Sequence, residues 1–211
     1  MSTVRIGSSP KEQNTNKFWG LKAGETKDVV ILHDVSDIVS AEQVALWDFN
    51  PALIWTCTDV GDPSRDIGAK PSYRAYVPVL VDIDGNKVIK IWSCTRTVHS
   101  QLHDISEALG ESLVGLIVKV KRTGEGLTTK YSVTNTGRRA KNMPEADEIP
   151  SSQDVIDMLD VKDRAGIIDY ITKQTGGTYE QFVAKFRGQS ASSDNSVGSS
   201  RKPGVVTTED F

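Results

Sequence analysis

Tyr73-Arg-Ala-Tyr-Val-Pro-Val-Leu-Val-Asp-Ile-Asp-Gly-Asn-Lys-Val-Ile-Lys-Ile-Trp-Ser-Cys94 decides how the fold is read. Tyr73, Ala75, Val77, Val79 and Val81 fall on one face of an extended chain, and Arg74, Tyr76, Pro78 and Leu80 on the other. This is the period-two pattern of a half-buried strand. Asp84-Gly85 accepts the positive φ of a tight turn, so the stretch predicts a hairpin. Behind it, Val98, Leu102, Ile105 and Leu109 recur at helical spacing and Gly110 supplies a stop, which predicts a short amphipathic helix over 95–109. Residues 113–122 and 127–135 are again strand-like, joined by Gly124-Glu125-Gly126. The order is hairpin, helix, hairpin.

Cations and rings recur along these strands. Lys90 and Trp92 share one face, and Lys119 and Lys121 share another, opposite Leu116, Val118 and Val120. Lys130 and Tyr131 follow, then Arg138, Arg139 and Lys141 just past the expected sheet. Cations can track phosphates while flat rings stack on unpaired bases, so such a face suits a single nucleic-acid strand. Any one of these lysines is as well explained by solvation of an outer face; repetition across both hairpins favours binding.

The block Lys70-Pro-Ser-Tyr73-Arg-Ala-Tyr76-Val-Pro78-Val, with Lys87-Val-Ile-Lys90-Ile-Trp92 and the helix behind it, resembles the oligonucleotide-binding core of tailed-phage single-stranded DNA-binding proteins. The resemblance covers roughly the first two-thirds of the chain and rests on patterning rather than on a short signature. It implies a mainly β fold: a five-stranded OB-fold Greek-key barrel with a helix between strands three and four, and nucleic acid across strands two and three. Short C-terminal helices and a disordered tail would follow. Tyr73, Tyr76 and Trp92 then lead as stacking residues, joined by Trp55 and Tyr131. Lys70, Lys87, Lys90, Arg96, Lys119, Lys121, Lys130, Arg138 and Arg139 are the expected phosphate contacts. A one-residue slip of register would exchange the two faces.

With 211 residues and 37% hydrophobic content the chain can build one medium domain with appendages, not two large cores. No apolar run reaches membrane-spanning length and the first residues lack the apolar centre of a secretory signal, so a cytoplasmic protein is expected. The formal charge of -3 argues against a polyanion partner until its distribution is considered. Bases outnumber acids over 87–141, whereas 145–160 is acid-rich. That asymmetry suggests a basic binding module and a separate remainder.

Residues 1–17 are polar and aperiodic and read as a flexible arm; 18–141 form the expected DNA-binding domain. Phe18 and Trp19 either plug one end of a core or make an exposed contact. Val29 to Leu32 suit the first barrel strand, and Val44 to Phe49 a second strand or an insertion. The turn-rich loop that follows, with Trp55, Arg65 and Lys70, is expected to help clamp DNA. Some proteins that this region resembles bind zinc there through a cysteine cluster. Here Cys57 stands alone, and zinc prefers four nitrogen or sulfur ligands, so no zinc or other cofactor is expected. Asp59, Asp62 and Asp66 lack the glycine and terminal glutamate of a calcium-binding loop. Cys57 and Cys94 are expected to be packing thiols.

Residues 142–187 read as a proline-bounded acidic linker and three short helices: 152–159 behind an N-capping Ser151, then 163–175, then 178–186. These form either a small appended module, a cover for the barrel or a protein-contact surface. Residues 188–211 are too polar to collapse and read as a disordered tail ending Glu209-Asp210-Phe211. Such an ending resembles the tails through which single-stranded DNA-binding proteins recruit replication and repair partners. Phe211 would fill an apolar pocket while the acids meet a basic rim, or the tail would occupy the protein's own DNA groove.

No constellation calls for an enzyme. His99 and His103 lie four apart, but no Glu follows His99, so the zinc-protease motif is absent and both read as surface residues of the helix. There is neither a phosphate-binding Gly-rich loop nor a nucleophile elbow. The expectation is a non-enzymatic, largely sequence-independent single-stranded DNA-binding protein of phage DNA replication, recombination and repair. Its rivals are an RNA-binding module and a protein-interaction scaffold whose aromatics are core and whose cations are solvated.

Overall fold

The computed structural model describes residues 17–58, 61–125 and 128–193. The expected N-terminal arm up to residue 16, Gly126 of the second hairpin turn, and the tip Glu209, Asp210 and Phe211 lie outside the described residues. In chain order the elements are β1 (Phe18–Trp19), β2 (Thr26–Ile31), β3 (Val39–Leu46), β4 (Leu53–Thr56), α1 (Ser64–Ile67), β5 (Ser72–Ile83) and β6 (Asn86–Cys94). Then come α2 (Arg96–Leu109), β7 (Leu116–Thr123), β8 (Lys130–Arg139), α3 (Ser152–Met158), α4 (Arg164–Thr175) and α5 (Tyr179–Ser193).

All eight strands belong to one sheet, ordered β1-β6-β5-β2-β7-β8, with β3 joined to β5 and β4 to β3. β5 is its hub. It pairs with β6 from Ala75 to Ile83, while its other edge is shared by β3, opposite Ser72 to Tyr76, and β2, opposite Val79 and Leu80. The half-buried strand expected from its alternation is in fact buried on both faces from Ala75 to Val81. Two separate layers cover it, one on each side.

On the inner side Val77 and Val79 meet Val29 and Ile31 of β2, Val118 and Val120 of β7, and Trp92 of β6. Val98 and Leu102 of α2 complete this core. The helix is entered through Thr95 and ended by Gly110, whose φ of 62° suits glycine at a helix C-terminus. Gln101 ties it to the sheet: its Oε1 accepts from the Val133 amide at 2.7 Å.

The mainly β fold expected from sequence takes the form of one open, eight-stranded sheet. Among the described residues no ladder joins β6 to β8, because β1 takes the free edge of β6 in parallel, Phe18 beside Ile91 and Trp19 beside Trp92. Side chains close what the backbone leaves open. Trp92 meets Tyr131 of β8 edge to face at 6.2 Å and Trp19 at 5.6 Å.

On the outer side α3 lies against Val39 and Ala41 of β3 and over Tyr76 of β5 and Ile91 of β6. Val155 is buried with Tyr76 and Ile91, flanked by Met158 and Leu159. Ser151 caps the helix in a reciprocal box with Asp154. Two hydrogen bonds fasten this strap: Ser152 Oγ donates to the Asp37 carbonyl at 2.8 Å, and His33 Nε2 to the Pro150 carbonyl at 2.7 Å.

A second core lies beside the first. Val44, Leu46, Leu53 and Trp55 of the β3–β4 hairpin and Ile67 of α1 pack against Ile167 and Ile171 of α4 and Phe182 of α5. The loop expected to clamp DNA and two of the three C-terminal helices, α4 and α5, are thus halves of one lobe, while α3 covers part of the sheet, so the helices divide between an appended module and a cover. α5 also runs to Ser193, past the expected start of disorder at residue 188.

Trp92→Ala should lower stability by about 3–5 kcal/mol, because it removes the ring that joins three elements of the first core. A urea midpoint within error of the unaltered protein would contradict that placement.

Candidate nucleic-acid interface

Three of the five expected aromatic contacts are core residues. Trp92 and Tyr76 are each 1% exposed and Trp55 is 5% exposed. Trp92 points inward between Trp19 and Tyr131. Tyr76 sits beneath α3 with its hydroxyl buried and no hydrogen-bond partner among the described residues, and burial raises its pKa. Trp55 anchors the second core, its Nε1 donating to Asp62 at 3.5 Å. As folded, none of the three offers a ring face to a base. Tyr131 is half-buried and also turned inward, with the Arg122 guanidinium 5.9 Å from its ring centre.

Tyr73 is placed differently, at the start of β5 beside the first turn of α2. The Arg96 guanidinium lies 4.5 Å from its ring centre, and its hydroxyl is 2.6 Å from His99 Nδ1. The two ring planes are within 11° of parallel at 5.9 Å, a side-by-side arrangement set by that hydrogen bond. His99 is therefore half-buried and engaged, not the surface residue expected; burial, with His103 as a lesser cause, lowers its pKa. The structure brings Tyr73 and Arg96 into one cation–π pair.

The cations divide by their partners. Lys119 and Lys121 project from the outer face of β7, next in register to Thr134 and Ser132 of β8, and Lys130 shares that face two residues before Ser132. All three are exposed, and none forms an ion pair among the described residues. Arg138 and Arg139, expected just past the sheet, lie within β8. Arg138 binds Asp28 at 2.6 Å, and Arg139 binds Glu111 at 3.0 Å as well as the carbonyls of Val114 and Ser112. Exposed pairs of this kind are weak and leave both arginines able to exchange partners. Lys87 and Lys70 are exposed, whereas Lys90 is half-buried on the side of Trp92, its pKa lowered by burial.

One aromatic was missed. Trp47, in the turn that follows β3, is 70% exposed. The alternation of residues 44–49 places it in register with Ala45 and gives no sign that the strand ends at Leu46.

Beneath that turn the second core is wired through two carboxylates. Asp66 accepts from Arg164 Nη2 and the Tyr179 hydroxyl, both at 2.7 Å, and these bonds lower its pKa. Asp62 is buried, which by itself disfavours its charge. Hydrogen bonds from Ser64, Thr58 and Trp55 outweigh that burial and hold its pKa below the ordinary 3.8. Cys57 stands nearby, its pKa pushed up to about 12 by burial, Asp62 and Glu42; burial does the same to Cys94. Both are therefore held as neutral thiols at physiological pH, which disfavours nucleophilic attack. His103, Asp104 and Glu107 converge on the exposed side of α2 with their ligand atoms within 4.8 Å. Nothing else at that spot points to an ion.

The depressed pKa of Asp62 stabilises the lobe above the ordinary carboxyl value, and the contribution is lost as pH falls below 3.8 through the folded value. Asp62→Asn should be less stable at neutral pH and lose less stability on acidification, read by urea unfolding at a series of pH values. An unchanged acid limb would contradict this assignment. No helix among the described residues is long and apolar enough to cross a membrane. No family model, curated protein or solved structure matches the chain.

Proposed function

We propose that this chain is a non-enzymatic single-stranded DNA-binding protein of the tailed-phage type. It would coat and protect DNA during replication, recombination and repair. The observation that carries the reading is the outer face of β7 and β8, where Lys119, Lys121 and Lys130 stand exposed without ion-pair partners among the described residues; hydroxyl side chains neighbour them on β8, and the one acid opposite, Asp28 beside Lys119 on β2, is bound by Arg138. Cations so placed meet phosphates without first breaking an internal contact. The ladders β2–β5, β5–β6, β2–β7 and β7–β8, with α2 between β6 and β7, support an OB-type core in which these strands take the five positions.

The path of the strand departs from the one that the resemblance implies. α3 covers the outer face of β5 and β6 at Tyr76 and Ile91, so the backbone runs over β7 and β8. Lys87 and the Tyr73–Arg96 pair extend the contact beyond that face. Arg138 and Arg139 join by exchanging carboxylates for phosphates. Glu209, Asp210 and Phe211 remain the proposed partner-recruiting tip. A protein-interaction scaffold is the second reading, favoured by one observation: Trp92, Tyr76 and Trp55 are core residues, as that alternative expects.

Retention on single-stranded DNA should fall steeply with salt. Replacing Lys119, Lys121 and Lys130 together by Ala should flatten the log-log salt slope by about 2, from roughly 0.7 per lost phosphate contact. An unaltered slope would remove this face from the interface. A wild-type protein with no salt-sensitive retention would favour the scaffold.

A further inference from the structure

If the chain holds a single strand, it needs ring surface, and the rings that sequence patterning offers do not supply it. Trp92, Tyr76 and Trp55 are buried, Tyr131 is turned into the core, and Tyr73 is held by Arg96 and His99. Trp47 is the opposite case. It has the highest exposure of the large apolar side chains among the described residues.

That exposure is imposed by well-anchored neighbours. Leu46, immediately before Trp47, is buried in the second core. Phe49, two residues after, packs on Phe182 with ring centres 5.7 Å apart. On the returning strand Leu53 and Trp55 are buried in the same core. The turn is therefore pinned on both sides, and its one outward indole is held out where burying it would have stabilised the fold.

The lobe that holds this turn also carries cations on its surface. Arg65 of α1 and Lys70 are exposed, on either side of Ile67 and Ala69, which pack into the second core. Of the acids of this lobe, Asp62 is engaged by Trp55, Thr58 and Ser64, and Asp66 by Arg164 and Tyr179, while Asp48, next to Trp47 in the turn, is exposed. An indole presented rigidly, on a lobe whose exposed cations can meet phosphates, has the composition of a base-stacking platform.

We infer that Trp47 is the stacking residue of this protein, receiving an unpaired base on its exposed indole, and that α4 and α5 serve to hold the β3–β4 hairpin in position for it. The inference rests on the single-strand reading above. It assigns to Trp47 the role that patterning gave to Trp92, Tyr76 and Trp55, and gives the C-terminal helices a part in binding.

The test is titration of the full chain with fluorescein-labelled oligothymidine, following label anisotropy for affinity and tryptophan emission for stacking. Trp47→Ala and Trp47→Phe are compared with wild type, each with its melting temperature. Wild type should bind with quenching. Trp47→Phe should bind at near wild-type affinity with the quenching lost, and Trp47→Ala should melt normally but bind about tenfold more weakly. Phe182→Ala, which loosens the support of the hairpin, should weaken binding without touching the indole. Full quenching and affinity in both Trp47 variants would overturn the inference while leaving single-strand binding intact. Normal DNA affinity in Trp47→Ala, with self-association lost in sedimentation, would overturn it in favour of a protein contact. A wild-type protein that gives no anisotropy change at low salt would overturn the single-strand reading itself, and the inference with it.

Discussion

A strand buried on both faces has little freedom of register, and β5 imposes that constraint on the rest of the molecule. Sliding it by one residue would exchange Val77 and Val79, which face the first core, with Tyr76 and Leu80 on the other side. Each neighbour is referred to it. β6 follows it through a tight hairpin, β2 and β3 divide its second edge, and α3 closes its outer face. Because β3 leaves β5 after Gln43, its distal half is free to pair with β4 and become the stem of the second lobe.

The two cores therefore share a backbone while burying different residues. The first is held by β-branched side chains and a small cluster of rings. The second is held by aromatics from distant parts of the chain and by two buried or half-buried carboxylates. Neither set of C-terminal helices would be stable alone, since each offers only a few apolar residues. Docking on the β3–β4 hairpin solves that problem for both partners, and it fixes a turn that would otherwise be mobile at the end of a two-stranded ribbon. α3 solves a different problem, covering apolar positions of β5 and β6 that would otherwise face water.

Local signals in the sequence are faithful where the cause is local. Asp84-Gly85 marks the turn between β5 and β6, Gly110 ends α2, and Ser151 and Gly176 bound α3 and α4 as their capping chemistry requires. What alternation does not carry is how many layers cover a strand. Alternation alone does not mark Tyr76 and Trp92 as core: α3 buries the one, and the first core with Trp19 and Tyr131 around its ring buries the other. The pairing of residues 44–56 with helices more than a hundred residues later leaves no periodic trace, so neither the burial of Trp55 nor the exposure of Trp47 is visible in the sequence. The outward lysines of β7 were legible because a single strand with a clear apolar face fixes both of its sides.

What the fold leaves available to a polyanion is a lysine-bearing face on β7 and β8, a cation–π pair at the start of α2 and an indole on a braced turn. What it withholds is the part of the outer face of β5 and β6 around Tyr76 and Ile91, beneath α3. Amide hydrogen exchange of the full chain, with and without saturating oligothymidine at low salt, tests this division most directly. Binding along the proposed path slows exchange in β7, β8 and the turn after Leu46, and leaves α3 unchanged. Protection of β5 and β6 together with faster exchange in α3 would mean that the strand displaces the helix and lies beneath it, which would contradict the path proposed. No protection anywhere would contradict nucleic-acid binding altogether.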